Sequence, residues 1–346
     1  MSSRTDSGRP PRCSDDHREP LPGTAKKGTT YLIVEHAHGW GRDVLDGDAL
    51  GAELTGRIRE LVDSAGAAFH LIRRPGRDTR EGAPVRAYLI FTSSPDPDAP
   101  PPTIEAYDLP GGMEDIFALD LSGPELNTAL GARRVPHPLV LVCTHGKRDL
   151  CCAVKGRPMA SAMRAAASSM ETLLRRRNGD PCAVGGAEQA AGINDTVDVV
   201  WESSHTGGHR FAPSMILLPW GYSYGRMSTD QGMAMLATLA RGELPLPGLR
   251  GRGCYDGPGQ AAEVHVAAEL SAKGYPVAPG ELVVSAVEDP DGTDTVRRTV
   301  ARPGGGRWSV ELRHRELPPV LKSCGKEPAA ADTWCVIGFR SLDPGE

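Results

Sequence analysis

An unbroken apolar run, Leu139-Val140-Leu141-Val142, leads directly into Cys143-Thr144-His145-Gly146-Lys147-Arg148-Asp149-Leu150-Cys151-Cys152. No other stretch restricts the fold as tightly. A run of this kind predicts a strand buried on both faces, with Cys143 at its carboxyl end. A helix is expected next. Pro158 suits a first helical position, where its missing N–H leaves no bond unmade. Met159, Met163, Ala166, Met170 and Leu174 then recur at spacings of three and four, the signature of one helix face. Asn178-Gly179 is a suitable stop, since both residues tolerate the left-handed conformation. Strand, cysteine loop and helix together predict an α/β fold. In open α/β sheets, sites gather at the carboxyl ends of strands.

A second stretch, Ser203-Ser204-His205-Thr206-Gly207-Gly208-His209-Arg210-Phe211, follows another strand candidate over 197–201. The spacing of His205 and His209 could place both on one helix face. Gly207-Gly208 between them argues instead for a tight loop in which the backbone approaches something closely.

Sulfur in one loop and imidazole in the other point to metal or redox chemistry. Two Cys and two His suit a tetrahedral zinc ion as well as an iron–sulfur cluster. The spacing Cys-x8-Cys is unlike the short knuckles of common zinc modules. Thiol–disulfide exchange is a third reading, because a cysteine at a helix start has a lowered pKa; no Cys-x-x-Cys is present. Cys151 and Cys152 are adjacent, so one faces the metal and the other is expected to be a buried small apolar residue. His145 is a further ligand candidate, or a hydrogen-bonding loop histidine. Lys147, Arg148 and Arg210 read either as solvated charges or as a cationic surround to the site. Trp220, Tyr222 and Tyr224 read as packing around the loop. Cys182, Cys254, Cys324 and Cys335 lack paired spacing and read as structural.

The chain has 346 residues, enough for two or three units, with 39 basic and 44 acidic residues and a net charge of −5. That balance gives no sign of nucleic acid or an anionic membrane as partner. No apolar run reaches the ~18 residues of a membrane span, and the polar N-terminus has no signal core. A cytoplasmic protein is expected. Eight cysteines without a secretory signal favour metal or redox use over a disulfide frame.

Residues 1–28 read as a disordered tail, poor in groups to bury, with Cys13 inside it and outside any cluster. An N-terminal α/β unit is expected over 29–135. Its strand candidates are 31–34, 69–72 and 87–91, with a helical stripe at Leu50, Leu54, Ile58 and Leu61. The site-bearing unit covers 136–243 and closes on a helix opened by Ser228 and Gln231 in capping-box spacing. A small α+β module covers 248–346. It has a helix over 260–273, strands over 282–287, 295–300 and 308–312, and a turn signal at Asp291-Gly292. No internal repeat is apparent. No Gly-x-Gly-x-x-Gly follows a strand, so a bound nicotinamide or flavin is not indicated. No carboxylate spacing marks a glycosidase pair.

The runs CTHGKRDLCC (143–152), SSHTGGHRFA (203–212) and GYSYGR (221–226) resemble the sucrase/ferredoxin-like family. VEHAHGWG (34–41) and RGRGCYDGPGQAAE (250–263) do so as well. The resemblance runs from about Pro20 to Trp334. It implies a thioredoxin-like ferredoxin fold carrying a [2Fe–2S] cluster, with Cys143, Cys152, His205 and His209 as ligands. It also implies that Cys152 rather than Cys151 faces the iron, and that the C-terminal module is an accessory. Ala37 and His38 depart from the family's usual EHPGPWG, so the resemblance gives that loop no role. The implied function is an electron carrier served by redox partner proteins. With neutral imidazoles the oxidised cluster would be formally neutral, against −2 for four thiolates, which raises the expected potential. Two-histidine Rieske centres span roughly −150 to +300 mV against about −400 mV for plant-type ferredoxins.

Overall fold

The computed structural model describes residues 12–77, 84–92, 96, 99–178, 198–286 and 294–343, apart from the side chains of 168–178. Ten strands form one mixed sheet: β1 (Thr30–Glu35), β2 (Ala68–Arg73), β3 (Val85–Phe91), β4 (Thr103–Leu109), β5 (Arg133–Arg134), β6 (Leu139–Cys143), β7 (Val200–Ser203), β8 (Met215–Leu218), β9 (Tyr222–Tyr224) and β10 (Leu249–Arg252). Their spatial order is β10-β9-β8-β6-β7-β2-β1-β3-β4-β5. Among the described residues, four α-helices accompany it: α1 (Ala52–Ser64), α2 (Arg157–Asn178), α3 (Thr229–Ala240) and α4 (Gly257–Ala272). The protein is a mixed α/β molecule, as the strand–loop–helix pattern predicts.

The sheet contains one arrangement twice. In the first half, parallel strands β1 and β2 flank α1 in the chain, and β3 and β4 are added antiparallel beyond β1. In the second, parallel strands β6 and β7 flank α2, and β8 and β9 are added antiparallel beyond β6. The halves join back to back through the antiparallel pair β2–β7, with Ile72 opposite Ser203 and Arg73 opposite Glu202. The expected boundary near 135 therefore falls within a continuous sheet. One core also crosses it, with Ile33, Tyr88 and Ile104 packed in the same cluster as Leu141, Trp201 and Ile216. This repeat is invisible in the residues because the corresponding strands share only their apolar character.

The helices form where periodicity places them. Met159 and Met163 of α2 are buried against β6, β8 and α3; Met170 and Leu174 lie outside the described side chains. Ile58 and Val62 of α1 pack on Leu32 and Val34. Ser228 caps α3 in a reciprocal capping box with Gln231. Asp256 caps α4 by accepting from the Gly259 N–H, and Pro258 sits in the first turn, so this helix opens three residues before the expected start.

A second sheet of β11 (Val283–Ala286), β12 (Thr295–Ala301), β13 (Arg307–Val320) and β14 (Ala329–Ser341) is an antiparallel meander. It packs on α4. The Asp291-Gly292 turn and Cys182 lie outside the described residues. The connection between β13 and β14 carries Ser323 and Cys324 back to the cysteine loop.

The expectation of a disordered segment over 1–28 is corrected from residue 12 onward. Cys13–Asp15 forms a short helical turn. Glu19 takes both its oxygens to Arg210 at 2.5 and 2.6 Å, and Arg226 donates to the carbonyls of Glu19 and Asp16. Gly23 and Gly28 bond the backbone at Arg250 and Gly253. These partners lie far along the chain, which is why local composition misses the strap.

Candidate functional site

Parallel pairing of β6 with β7 sets Cys143 opposite Ser203. The cysteine loop and the histidine loop therefore leave the sheet side by side, at the carboxyl ends of adjacent strands. Between them lies a cavity of about 240 Å³ lined by Lys26, Cys143, Arg148, Cys152, His205, Thr206, Gly207, Gly208 and His209. All four ligand candidates line it, and Cys151 does not.

Two glycines permit this approach. A Cβ on Gly156 would fall 2.0 Å from the Cys143 carbonyl oxygen, so the wide helical turn Cys152–Gly156 can press onto the strand end only without a side chain. Gly208 has φ +78° and would collide with Arg250 and Phe211. The loop stays non-helical through Gly207 and Gly208, as their pairing predicts, and closes with a short turn over His209–Phe211.

The thiols of Cys143 and Cys152 both line the cavity and interact with each other. Cys143 accepts from Cys152 and from the backbone N–H groups of His145 and Thr206, which pulls its pKa down against the effect of burial. Cys152, as donor and beside Cys143, is pushed up. Burial lowers His205 from 6.5 to about 3, helped by Lys26 and Arg148, so its imidazole is neutral. Its Nδ1 lies 3.1 Å from Ser204 Oγ, leaving Nε2 for the cavity. Nε2 of His209 is buried without a hydrogen-bond partner among the described residues; Asp149 Oδ2 stands 3.7 Å away.

His145 is buried beside the cavity, its Nδ1 2.7 Å from the Ser204 carbonyl and its Nε2 2.6 Å from the Gly41 carbonyl. It ties the two loops to the 36–43 loop, where Trp40 meets its ring edge-on. The VEHAHGWG stretch thus has a structural role that the altered signature does not reveal. Arg148 pairs with Asp43, Arg210 with Glu19, and Lys147 is exposed. Tyr222 and Tyr224 are buried packing residues whose hydroxyls reach Glu263 and the Pro245 carbonyl.

Arg250 and Lys26 are contributors that sequence reasoning misses. Arg250 is buried, stacks on Phe211 with 4.6 Å to the ring centroid, and donates to the Gly207 carbonyl at 2.9 Å. It also donates to Thr24 of the strap. Burial holds its pKa down, at about 9. The RGR motif offered a signal, since arginines within a short strand that is drawn into the fold need specific partners.

Behind the cysteine loop lies a second group of donors. Cys13, Asp149, Cys151 and Cys324 place their ligand atoms within 4.8 Å of one another, a set that could hold a metal ion. Cys151 is lowered to about 5, chiefly by the hydrogen bond from Cys13, while Cys13 is raised by donating it. Cys324 is pushed up to about 11 by burial. Cys151 is buried against Ala212, as expected of the cysteine that turns away from the first cavity, whereas its company with Cys13 and Cys324 is not visible in their spacing.

The architecture and these two donor groups define a mixed α/β protein with a potential metal-binding centre. A family model described as sucrase/ferredoxin-like matches residues 21–251, and the chain belongs to that family. No curated protein and no solved structure matches it. Among the described residues, no helix is long and apolar enough to cross a membrane.

Proposed function

We propose that this protein is an electron carrier with a [2Fe–2S] cluster held by Cys143, Cys152, His205 and His209. The observation that carries the reading is their convergence on one cavity from two loops. The donor chemistry fits: two thiols and one neutral imidazole face the cavity, and the second imidazole has a buried, unpartnered nitrogen. Such a cluster supplies one-electron transfer.

The remaining residues shape that chemistry. Backbone N–H groups of His145 and Thr206 pull the Cys143 pKa down, so they favour negative charge there, which raises a potential. Lys26 and Arg148 add positive charge at the cavity wall. Cys143 and Cys152 are 4 % and 2 % exposed, whereas the His209 side chain is 26 % exposed, so electrons enter and leave on the histidine side. Redox partner proteins are the donors and acceptors. The order β9-β8-β6-β7, with α2 between the parallel pair and α3 after β9, supports the thioredoxin-like ferredoxin reading of this half. The cytoplasm is the compartment this reading favours.

Anaerobic purification with iron and sulfide counting and EPR of the reduced protein tests the proposal. About two irons and two sulfides per chain are expected. A colourless chain, even with iron supplied and oxygen excluded, would overturn it.

A further inference from the structure

Three cysteines that the electron-carrier reading leaves idle meet behind the first cavity. Cys13 arrives on the N-terminal strap, Cys151 on the cysteine loop and Cys324 on the β13–β14 connection. Cys151 is 138 residues from Cys13 and 173 from Cys324 along the chain. Their sulfurs form a triangle: 3.6 Å from Cys13 to Cys151, 3.6 Å from Cys13 to Cys324, and 3.2 Å from Cys151 to Cys324. Asp149 adds a fourth corner, its oxygens 3.6 and 3.7 Å from the Cys13 sulfur. We propose that these residues form a closed structural zinc site, with three thiolates and the Asp149 carboxylate as ligands.

The spacing favours a single ion. Tetrahedral Zn–S bonds of about 2.3 Å set sulfurs about 3.8 Å apart, so two sides of the triangle are near that value and the third is shorter. A disulfide would use two of the three sulfurs and leave the third thiol against a carboxylate. Four donors this close have no room for a two-iron cluster. Thiolates select soft or borderline metals, and an oxygen ligand favours zinc over copper(I).

The surroundings are built to hold charged ligands. The backbone N–H groups of Cys13 and Ser14 act to lower the Cys324 and Cys151 thiols against burial. Outer-shell bonds of this kind orient metal ligands. Asp149 is fixed by the N–H groups of Cys151 and Cys324, each at 2.9 Å, and by the Ser323 hydroxyl at 3.1 Å. Three thiolates and one carboxylate around Zn²⁺ leave a formal charge of −2. Lys155 lies nearby, bonded to the Ser14 carbonyl at 3.2 Å and paired with Asp15 at 2.7 Å. Cys13 and Cys151 are fully buried, Asp149 is 4 % exposed and Cys324 is half-buried; four protein ligands fill a tetrahedral shell with no open position, which makes the role structural.

The ion would clamp the strap and the C-terminal module onto the loop that delivers Cys152 to the first cavity. Its ligands are distinct from the four proposed for iron, so each site can be emptied by its own substitution, with Asp149, 3.7 Å from His209 Nε2, left unchanged.

The test is metal counting by mass spectrometry on the full-length chain, expressed with zinc and iron and purified without chelator. About one zinc per chain is expected. Cys13→Ser and Cys324→Ser should each lower zinc occupancy about tenfold or more under chelator competition while iron, sulfide and the EPR signal stay. Cys143→Ser should lose iron and keep zinc. The proposal is overturned by wild-type protein without zinc, by zinc kept in both serine variants, or by a mononuclear iron centre there. A Cys151–Cys324 disulfide in the non-reduced peptide map would overturn it too. If the serine variants do not fold, cobalt-substituted wild type decides. Tetrahedral thiolate–cobalt bands that survive in Cys143→Ser support the site, and their absence rejects it.

Discussion

His70 on β2 and His205 in the histidine loop stack with ring centroids 4.3 Å apart and planes 7° from parallel. The contact crosses the seam between the two halves of the sheet. Both rings are kept neutral, mainly by burial: His205 is lowered to about 3 and His70 well below its ordinary value. The sign of the pH effect follows. Above pH 6.5 neither state binds these protons. As the pH falls from 6.5 toward 3, the unfolded chain takes them up and the folded chain does not, so stability is lost. Each group costs about 1.4 kcal/mol per pH unit once the unfolded chain is protonated. The urea midpoint should therefore drop steadily across that window, with a shallower slope in His70→Gln. An identical slope in the variant would show that His70 is protonated in the folded protein.

Replacing a neutral imidazole with a thiolate adds one negative charge at the proposed cluster. His209→Cys should retain iron and shift the midpoint potential downward in an EPR-monitored titration. On the same argument Lys26→Glu at the cavity wall lowers it. A charge about 10 Å away at an effective dielectric of about 20 contributes on the order of 1–2 kcal/mol. A rise in potential for either variant would contradict the charge argument.

Local chemistry made the first cavity legible. The run before Cys143 and the glycines between His205 and His209 each act within a few residues, so strand, loop and helix followed from periodicity and turn preference. Pairing of β6 with β7 then did the rest. The second donor group was illegible for the opposite reason. Cys13 lies in a polar segment that sequence alone reads as disordered, and it is held by Arg210, Arg226, Arg250 and Gln260, partners set only by the tertiary fold. Strands β4 and β14 escaped notice because their alternation is weak, with Glu105 buried in one and exposed residues throughout much of the other. The repeated topology hid because β1 leads into Glu35 and His36 where β6 ends in Cys143.

Arg252 and Glu263 form a fully enclosed ion pair at 2.6 Å, their side chains 2 % and 0 % exposed. Tyr222 also donates to Glu263 at 2.8 Å. Removing one partner leaves a buried charge without its counterpart. Glu263→Ala should cost about 3–5 kcal/mol in urea unfolding, whereas the double change Arg252→Met with Glu263→Leu should recover much of it. A single variant as stable as wild type would mean that water reaches Arg252.

Gly56 and Gly156 both lie in helical backbone, yet the same substitution should act in opposite directions on them. Nothing stands within 4 Å of a Cβ placed on Gly56 in α1. Gly56→Ala should therefore stabilise the protein by about 0.5–1 kcal/mol, the usual gain from helix propensity. At Gly156 the same methyl falls 2.0 Å from the Cys143 carbonyl oxygen, and backbone at a buried strand end has nowhere to go. The turn must lift from β6, which draws Cys152 away from Cys143. Gly156→Ala should lower the melting temperature and reduce iron content together, while Gly56→Ala raises the first and leaves the second unchanged. Iron at the wild-type level in a destabilised Gly156→Ala protein would show that this turn does not set the distance between the two sulfurs.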